Sequence, residues 1–311
     1  MVSGMARTIE QKSNLLGFPK PGELIEMAGT HVLEASDRAI LNTLYRHAHD
    51  SGKLGDPGAE WEIPLSIVRE AFSKHESSDR LINSLRRLQG VVVSVVYIDQ
   101  AGKEPEQRVV ITGLFAFFDV SAKQLEKRAT LRYGLPPKLV PIIAHSGYWG
   151  RIRAEIVCAM TSKYAMALYE QVQLRANLNR CVETIEIGRF REMLGVPPGA
   201  YERGNNFQQF VIRPAQLEVN GLSDMGVAIE LLRRHARAAV HAVSLTWWRK
   251  EGDEFREAMR ERKRSKVGRM ARLRGEVEQL AADRVGLVNE DVAERLERMQ
   301  AEEHGKLPAA E

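Results

Sequence analysis

The chain has 311 residues, of which 44% are hydrophobic and 28% charged, a composition typical of a globular protein long enough for two domains and a tail. Two cysteines, Cys158 and Cys181, exclude a disulfide scaffold and a four-cysteine zinc site. No apolar run approaches the ~18–20 residues that a membrane-spanning helix needs, and the first residues lack the apolar core of a signal peptide. We therefore expect a cytoplasmic protein that makes no membrane contact.

The net charge of +4 is unevenly distributed along the chain. Residues 150–250 carry 14 basic and 9 acidic side chains, whereas residues 1–149 are close to neutral and residues 251–311 have an acidic excess. A basic segment favours an anionic partner, most often nucleic acid. Ordinary charge scatter is the alternative explanation.

Residues 31–132 show the order of three helices followed by two strands. Helices are expected to begin at Ser36 or Asp37, at Pro64 and at Ser78, and two strands cover VVVSVVYID and RVVITGLFAFF. This order is typical of a winged helix, in which the third helix lies in the major groove and the strands form the wing. Residues 1–30, with glycines, prolines and little periodicity, are predicted to be a flexible lead-in.

The same order of elements recurs in residues 157–250. Helices are predicted over Thr161–Leu174, Gly188–Leu194 and from Gly204 to about Arg213, and strands over Gly226–Leu232 and Ala238–Trp248. Residues 133–156, which contain three prolines, are interpreted as a linker plus a strand, and residues 251–311 as a charged, partly helical tail. The predicted fold class is therefore α+β, with tandem winged-helix domains and a charged helical C-terminal tail.

The third helix of the second winged helix carries a row of polar residues. Phe207, Phe210 and Val211 follow helical spacing and are predicted to face the core, and Pro214 is expected to kink or interrupt the helix. Asn and Gln can bind adenine edges and Arg guanine edges. We predict DNA contacts from Arg203, Asn205, Asn206, Gln208, Gln209 and Arg213. A polar surface helix without a ligand is the alternative.

Further DNA contacts are predicted in the second wing and in the first winged helix. The turn RRHAR concentrates positive charge at a hairpin tip, which contact with phosphates would relieve. Its candidate residues are Arg233, Arg234 and Arg237. In the helix that begins at Ser78, the candidates are Arg80, Asn83, Ser84, Arg86 and Arg87.

Four stretches of the second half, TSKYAMALYEQV, FREMLGV, YERGNNFQQFVIRPAQLEVN and SLTWWRK, resemble the initiator proteins of theta-replicating plasmids that carry iterons. The resemblance is clearest over Thr161 to Lys250 and looser over the first winged helix. It departs from the family at Gln208 and Gln209, where a basic pair is common.

This resemblance implies two winged-helix domains whose monomers bind direct repeats at the origin and help to melt adjacent AT-rich DNA. It also implies single-stranded origin DNA, the host initiator and the replicative helicase as partners. Dimers in equilibrium with monomers, formed through the first domain, are expected to repress the protein's own gene.

Two rival functions share parts of this pattern. A transcriptional regulator with tandem winged helices would bind DNA without opening an origin. A metal-dependent nicking enzyme would use His47-Ala48-His49 with Tyr164 or Tyr169, but two histidines at i and i+2 on a helix point in different directions and cannot easily share an ion. No P-loop appears, so we expect no ATPase activity, and the two cysteines have no CxxC or HxxxH companion for a zinc site. We expect neither an enzyme nor a bound metal or cofactor.

Overall fold

The computed structural model describes residues 16–72, 78–99, 104–121, 129–178, 180–235 and 238–275. The described residues up to Arg262 form one compact unit, and those from Lys263 onward belong to a second. Among these residues, no helix combines the length and the apolar character that a bilayer crossing requires.

The first half follows the predicted order of helices and strands. Its elements are β1 (Phe18–Pro21), α1 (Gly22–Ile25), a 3₁₀ turn (Thr30–Val32), α2 (Ala35–Asp50), β2 (Glu60–Pro64), α3 (Leu65–Phe72), α4 (Ser78–Gly90), β3 (Val92–Asp99) and β4 (Glu106–Gly113). The start of α2 differs slightly from the prediction. Glu34 caps it, and the Asp37 carboxylate accepts the Glu34 N–H at 2.8 Å, so Asp37 closes a capping box rather than forming the cap.

The first wing is more elaborate than two strands. The predicted second strand divides, because Leu114 and Phe115 turn into the core between β4 and β5 (Phe117–Val120). A further strand, β6 (Thr130–Gly134), pairs with both β2 and β5 in a three-stranded sheet. The strands β3 and β4 form a separate antiparallel ribbon.

Residues 16–30 and 133–156, predicted to be a flexible lead-in and a linker, are instead folded. β1 pairs antiparallel with β7 (Trp149–Ile152), and Phe18, Leu24 and Ile25 are buried. The predicted linker folds as the end of β6, α5 (Leu139–Ala144), β7 and most of α6 (Ala154–Val157), and only its predicted strand is retained. Apolar side chains in both segments enter the core, which proline content alone did not indicate. Residues 1–15 lie outside the described residues.

The second half also follows the predicted order. Its elements are α7 (Lys163–Arg175), β8 (Val182–Glu186), α8 (Ile187–Leu194), α9 (Gly204–Phe207), a π-helical turn (Gln208–Ile212), α10 (Arg213–Leu222), β9 (Met225–Arg233) and β10 (Val240–Arg249). β10 lies between β8 and β9 in an antiparallel sheet. Gly195, with φ of 68°, adopts the left-handed conformation that ends α8.

α9, the π-helical turn and α10 are continuous, and we call residues 204–222 the recognition helix. Pro214 does not interrupt it, in contrast to the prediction. In the π-helical turn, the Arg213 N–H donates to the Gln208 carbonyl, five residues earlier. The wider turn changes which residues face inward. Val211 and Ile212 are buried, whereas Phe210 is 51% exposed, so its predicted core position is wrong.

A buried polar cluster joins the two halves. The Lys20 ammonium of β1 lies 2.9 Å from a Glu170 carboxylate oxygen of α7 and 3.3 Å from the Asn42 amide oxygen of α2. The Asn42 amide donates to the same Glu170 oxygen at 2.7 Å. All three side chains are almost fully buried. One hydrophobic core continues through both halves around this cluster.

The charged tail begins with α11 (Gly252–Lys263) and α12 (Arg269–Leu273). Its predicted partial helicity is thus confirmed as far as Gly275, and residues 276–311 lie outside the described residues. The predicted fold class, α+β with tandem winged helices and a charged tail that begins as helix, is confirmed.

Candidate DNA interface

The loop before the recognition helix is held by a side chain of α8. The Arg191 guanidinium donates to the backbone carbonyl of Tyr201 at 3.0 Å and to that of Ala200, and it lies 4.9 Å from the centre of the Phe207 ring. Tyr201 has φ of 53°, an uncommon left-handed conformation for a residue other than glycine. Arg191 therefore fixes where the recognition helix begins.

Glu218 anchors the recognition helix from its inner side. Its carboxylate, which is almost fully buried, accepts the backbone N–H groups of Thr161 and Ser162 and the Thr161 hydroxyl. These groups lie at the start of α7, where N–H groups have no partner within the helix. α10 and α7 are thereby held in a fixed relation that leaves the opposite face of the recognition helix outward.

The outer face of the recognition helix carries most of the predicted base-reading residues. Asn205, Asn206, Gln209 and Arg213 are exposed there, and Gln208 is half-buried. Their amide and guanidinium groups are the types that make bidentate contacts to adenine and guanine.

An open groove of about 670 Å³ runs between the start of the recognition helix and the second wing. It is lined by Ile187, Arg191, Gly199, Glu202, Arg203, Gly204, Asn205, Asn206, Phe207, Arg233, Ala239 and Val240. The helix and the wing approach closely at Gly204, where a Cβ would lie 2.7 Å from Nη2 of Arg233 and 2.9 Å from Cγ2 of Val240. The groove thus brings candidate residues of the helix and of the wing to one place.

Four arginines at this surface have no acidic partner among the described residues. Within the described part of the chain, no carboxylate forms an ion pair with Arg203, Arg213, Arg233 or Arg234. Arg233 donates to the Ala238 carbonyl at 2.7 Å, which positions its guanidinium across the hairpin. By contrast, Arg153, Arg175 and Arg189 all pair with acidic side chains. Arg237 lies outside the described residues.

The candidate DNA contacts of the first half all lie on α4, and they differ in exposure. Arg80, Asn83 and Arg86 are exposed. Ser84 is buried against Ser36, at 3.3 Å between their hydroxyl oxygens, so its prediction as a DNA contact is wrong.

Arg87 of α4 is held by the start of α2. Its guanidinium lies 2.8 Å from the Asp37 carboxylate and 3.2 Å from Glu34. These hydrogen bonds and charges raise the pKa of Arg87. Its charge is therefore compensated within the protein, which makes it a poor phosphate ligand.

The residues of the rival nicking hypothesis are engaged elsewhere. His47 Nδ1 lies 2.9 Å from the Tyr133 hydroxyl, whereas His49 is next to Asp50, at 3.2 Å. Tyr169 is fully buried, and burial raises its pKa well above the usual value. Tyr164 is half-buried, and burial raises its pKa as well. A search of the described residues finds no group of three His, Cys, Asp or Glu side chains that could hold a metal ion.

Residues 186–247 match the family model described as "Initiator Rep protein, WH2". This match covers α8, the recognition helix and most of the second wing. The resemblance to initiator Rep proteins is thereby confirmed. The segment that is similar to the initiator domain carries the groove together with Arg203, Arg213, Arg233 and Arg234.

One solved initiator structure shares the fold. The Pi initiator protein in complex with iteron DNA superimposes with a TM-score of 0.57 at 11% identity, covering 75% of this chain and 97% of that one. Domains 2 and 3 of RctB reach a TM-score of 0.42 at 12% identity, over 68% of this chain and 81% of that one. No curated protein matches the chain. The likeness to Pi, an initiator, shows a common fold across both halves.

Two features of the interface escaped the sequence analysis. Arg191 has no sequence signal that distinguishes it from other surface arginines, because its role depends on the loop that folds back over it. Phe210 was assigned to the core by regular helical spacing, which the π-helical turn breaks.

Proposed function

We propose that the protein is a plasmid replication initiator that binds direct repeats of double-stranded DNA at its origin. One observation carries the proposal: exposed amides and arginines that have no acidic partner in the described part of the chain converge on one groove, in the segment that matches the initiator model. In this proposal the recognition helix enters the major groove, where Asn205, Asn206, Gln209 and Arg213 read base edges. Arg203, Arg233 and Arg234 bind phosphates and set the register.

The first half contributes a second DNA contact through α4. Arg80, Asn83 and Arg86 are exposed on the helix that corresponds to the recognition helix of the other half. The tandem arrangement suits a repeat long enough to be contacted in two successive turns of the groove. The related fold of Pi, solved in complex with iteron DNA, supports this reading.

Binding, in this proposal, is not coupled to catalysis. The free energy that opens the origin comes from several copies of the protein that bind neighbouring repeats. The protein then recruits the host initiator and the replicative helicase to the exposed single-stranded AT-rich DNA. The engagement of His47 with Tyr133 and the burial of Tyr169 support a non-enzymatic role. The protein acts on plasmid DNA in the cytoplasm.

Dimerisation, and with it repression of the protein's own gene, is proposed to use the β3–β4 ribbon. Opposite residues of an antiparallel pair share a face. Val96 pairs with Val109, and Ile111 is opposite Ser94, so one face of the ribbon is apolar. Its exposed members are Val92, Val96, Ile98, Val109 and Ile111. A patch of this kind on a wing favours association with a second copy.

The DNA-binding proposal is tested by fluorescence anisotropy with the purified protein. The probes are duplexes from the DNA flanking its own gene and a scrambled duplex of equal length, each over a series of salt concentrations. We expect a preference of about 10³-fold or more for the flanking DNA and a steep salt slope. Equal, weak binding to both duplexes would contradict the proposal.

Footprinting on the same DNA separates initiation from regulation alone. Several direct repeats protected at a regular spacing are expected for an initiator. A single protected palindrome would favour the transcriptional regulator instead.

The dimer proposal is tested by sedimentation of the Ile111→Lys variant. A charge on the apolar face has to be desolvated on association, so we expect the dimer dissociation constant to rise about tenfold or more. Val267→Lys is the matched control, because Val267 is also exposed and β-branched but lies in the tail. An unchanged dimer in Ile111→Lys would exclude this face.

A further inference from the structure

Phe210 is an exposed aromatic residue within the row of polar residues on the recognition helix. Its side chain is 51% exposed. Asn206, Gln209 and Arg213 flank it in the chain, and all three are exposed on the same helix. Exposure of one large apolar side chain is common on proteins. Its place among base-reading candidates is what requires an explanation.

The Phe210 ring is also held in position rather than left free. It packs against Tyr201, with ring centroids 5.8 Å apart and the planes tilted by 31°. Tyr201 is itself fixed, because its carbonyl accepts a hydrogen bond from Arg191 and its backbone is left-handed. The π-helical turn places Phe210 outward while Val211 and Ile212 enter the core. The protein thus presents a fixed apolar surface at this point.

The major groove offers one apolar group for such a surface. The C5-methyl group of thymine is the only hydrocarbon substituent on the base edges there, whereas the remaining features are hydrogen-bond donors and acceptors. Aromatic side chains contact this methyl group favourably. We propose that Phe210 is a specificity-determining residue that packs on a thymine methyl group of the target repeat, an inference that rests on the proposed function.

The test removes the methyl group without altering base pairing. The probe is a duplex that contains one repeat protected in the footprint, in which each thymine is replaced in turn by uracil. The wild-type protein is expected to lose about fourfold in affinity at one or two positions, the change that corresponds to ~0.8 kcal/mol for one buried methyl group. Phe210→Ala should bind the unmodified duplex more weakly and lose nothing further at those positions.

Two variants control for indirect effects. Phe210→Leu keeps an apolar side chain and should remain sensitive to loss of the methyl group. Gln209→Ala removes a neighbouring polar contact, so it should lower affinity and yet show the same sensitive positions as the wild type. Thermal unfolding of each variant checks that the fold is intact. Little change in stability is expected, because the side chains of Gln209 and Phe210 are both exposed.

The outcomes distinguish this inference from the proposed function. If the wild type prefers the repeat but no uracil substitution weakens it, or if Phe210→Ala stays sensitive at the same positions, the methyl contact is wrong while DNA binding stands. If the flanking DNA is bound no better than the scrambled duplex, the proposed function fails first and the contact fails with it.

Discussion

Arginines at the candidate interface differ in what they can contribute. Arg213 lies on the outer face of the recognition helix, where a guanidinium can reach base edges. Arg234 lies at the end of the wing, beyond the last residue of β9, where phosphates are the expected neighbours. Both are exposed and lack an acidic partner among the described residues. The two positions should therefore affect binding in different ways.

Substitution of each arginine by alanine measures this difference. Arg213→Ala is expected to cost about 1–3 kcal/mol on the cognate repeat and little on scrambled DNA, because a base contact is lost. Arg234→Ala should weaken binding to every sequence and lower the salt slope by about one, because one phosphate contact is lost. Anisotropy over a salt series reports both values. Unchanged affinity in both variants would show that the second winged helix is not the DNA reader.

Lys250 introduces a dependence of stability on pH. Its ammonium donates to the carbonyls of Asn220 and Ser223 at the end of the recognition helix. Burial lowers its pKa from 10.5 to about 8, although Glu254 and Asp224 oppose the shift. Between pH 8 and 10 the unfolded chain therefore holds more protons than the folded one, and the free energy of unfolding should rise with pH.

The size of this rise is up to about 3 kcal/mol, at 1.36 kcal/mol for each pKa unit. Urea unfolding at pH 7.5 and at pH 9.5 measures it in the wild type and in Lys250→Met. The variant loses the titrating group, so the difference in pH slope between the two proteins isolates Lys250. Equal slopes would show that this side chain does not titrate in that range.

At the scale of elements, helices and strands could be predicted where capping and spacing signals are local. Ser78, Gly90 and Gly195 mark element ends in the sequence and in the structure alike. The π-helical turn could not be predicted, because its only local sign is Pro214, which ordinarily indicates a break. The same turn explains why the predicted core position of Phe210 is wrong, whereas the predicted outward positions of Asn205, Asn206, Gln209 and Arg213 agree with the structure.

Glu218→Gln tests how the recognition helix is anchored to α7. The neutral amide accepts weaker hydrogen bonds from Thr161 and Ser162 and places a donor next to their N–H groups. We expect a loss of about 2 kcal/mol in the free energy of unfolding. Glu192→Gln, on the exposed surface of α8, is the matched control and should change stability by less than ~0.5 kcal/mol. If both variants lower the free energy of unfolding equally in chemical denaturation, Glu218 does not anchor the recognition helix to α7.

At the scale of the whole molecule, the sequence indicates two similar halves but not how they join. Lys20 lies in a segment that was predicted to be flexible, and the sequence analysis assigned no role to Glu170. Only the fold places them 2.9 Å apart in the interior, with Asn42 as a third partner. Contacts across 150 residues leave no periodic signal. The order of the elements and the exposure of most candidate residues could therefore be predicted from local pattern, whereas the junction could not.

Lys20→Met tests this junction. It leaves the Glu170 carboxylate buried without its cation, so we expect a loss of about 3–5 kcal/mol in the free energy of unfolding. Adding Glu170→Leu should restore part of the loss, because it removes the buried carboxylate that Lys20 no longer contacts. Lys53→Met, at an exposed lysine, should change stability by less than ~0.5 kcal/mol. An unchanged free energy of unfolding in Lys20→Met would show that the Lys20–Glu170 pair does not hold the two halves together.

The strand pair β1–β7 has a consequence for synthesis on the ribosome. Phe18 has no strand partner until Ile152 has been translated, and Lys20 has no carboxylate until Glu170 follows. At about 5–20 residues per second, the N-terminal strand waits on the order of ten seconds. The first half therefore cannot complete its fold as an independent nascent domain. Its N-terminal strand reaches its native partners only when the second half emerges, despite the modular appearance of the sequence.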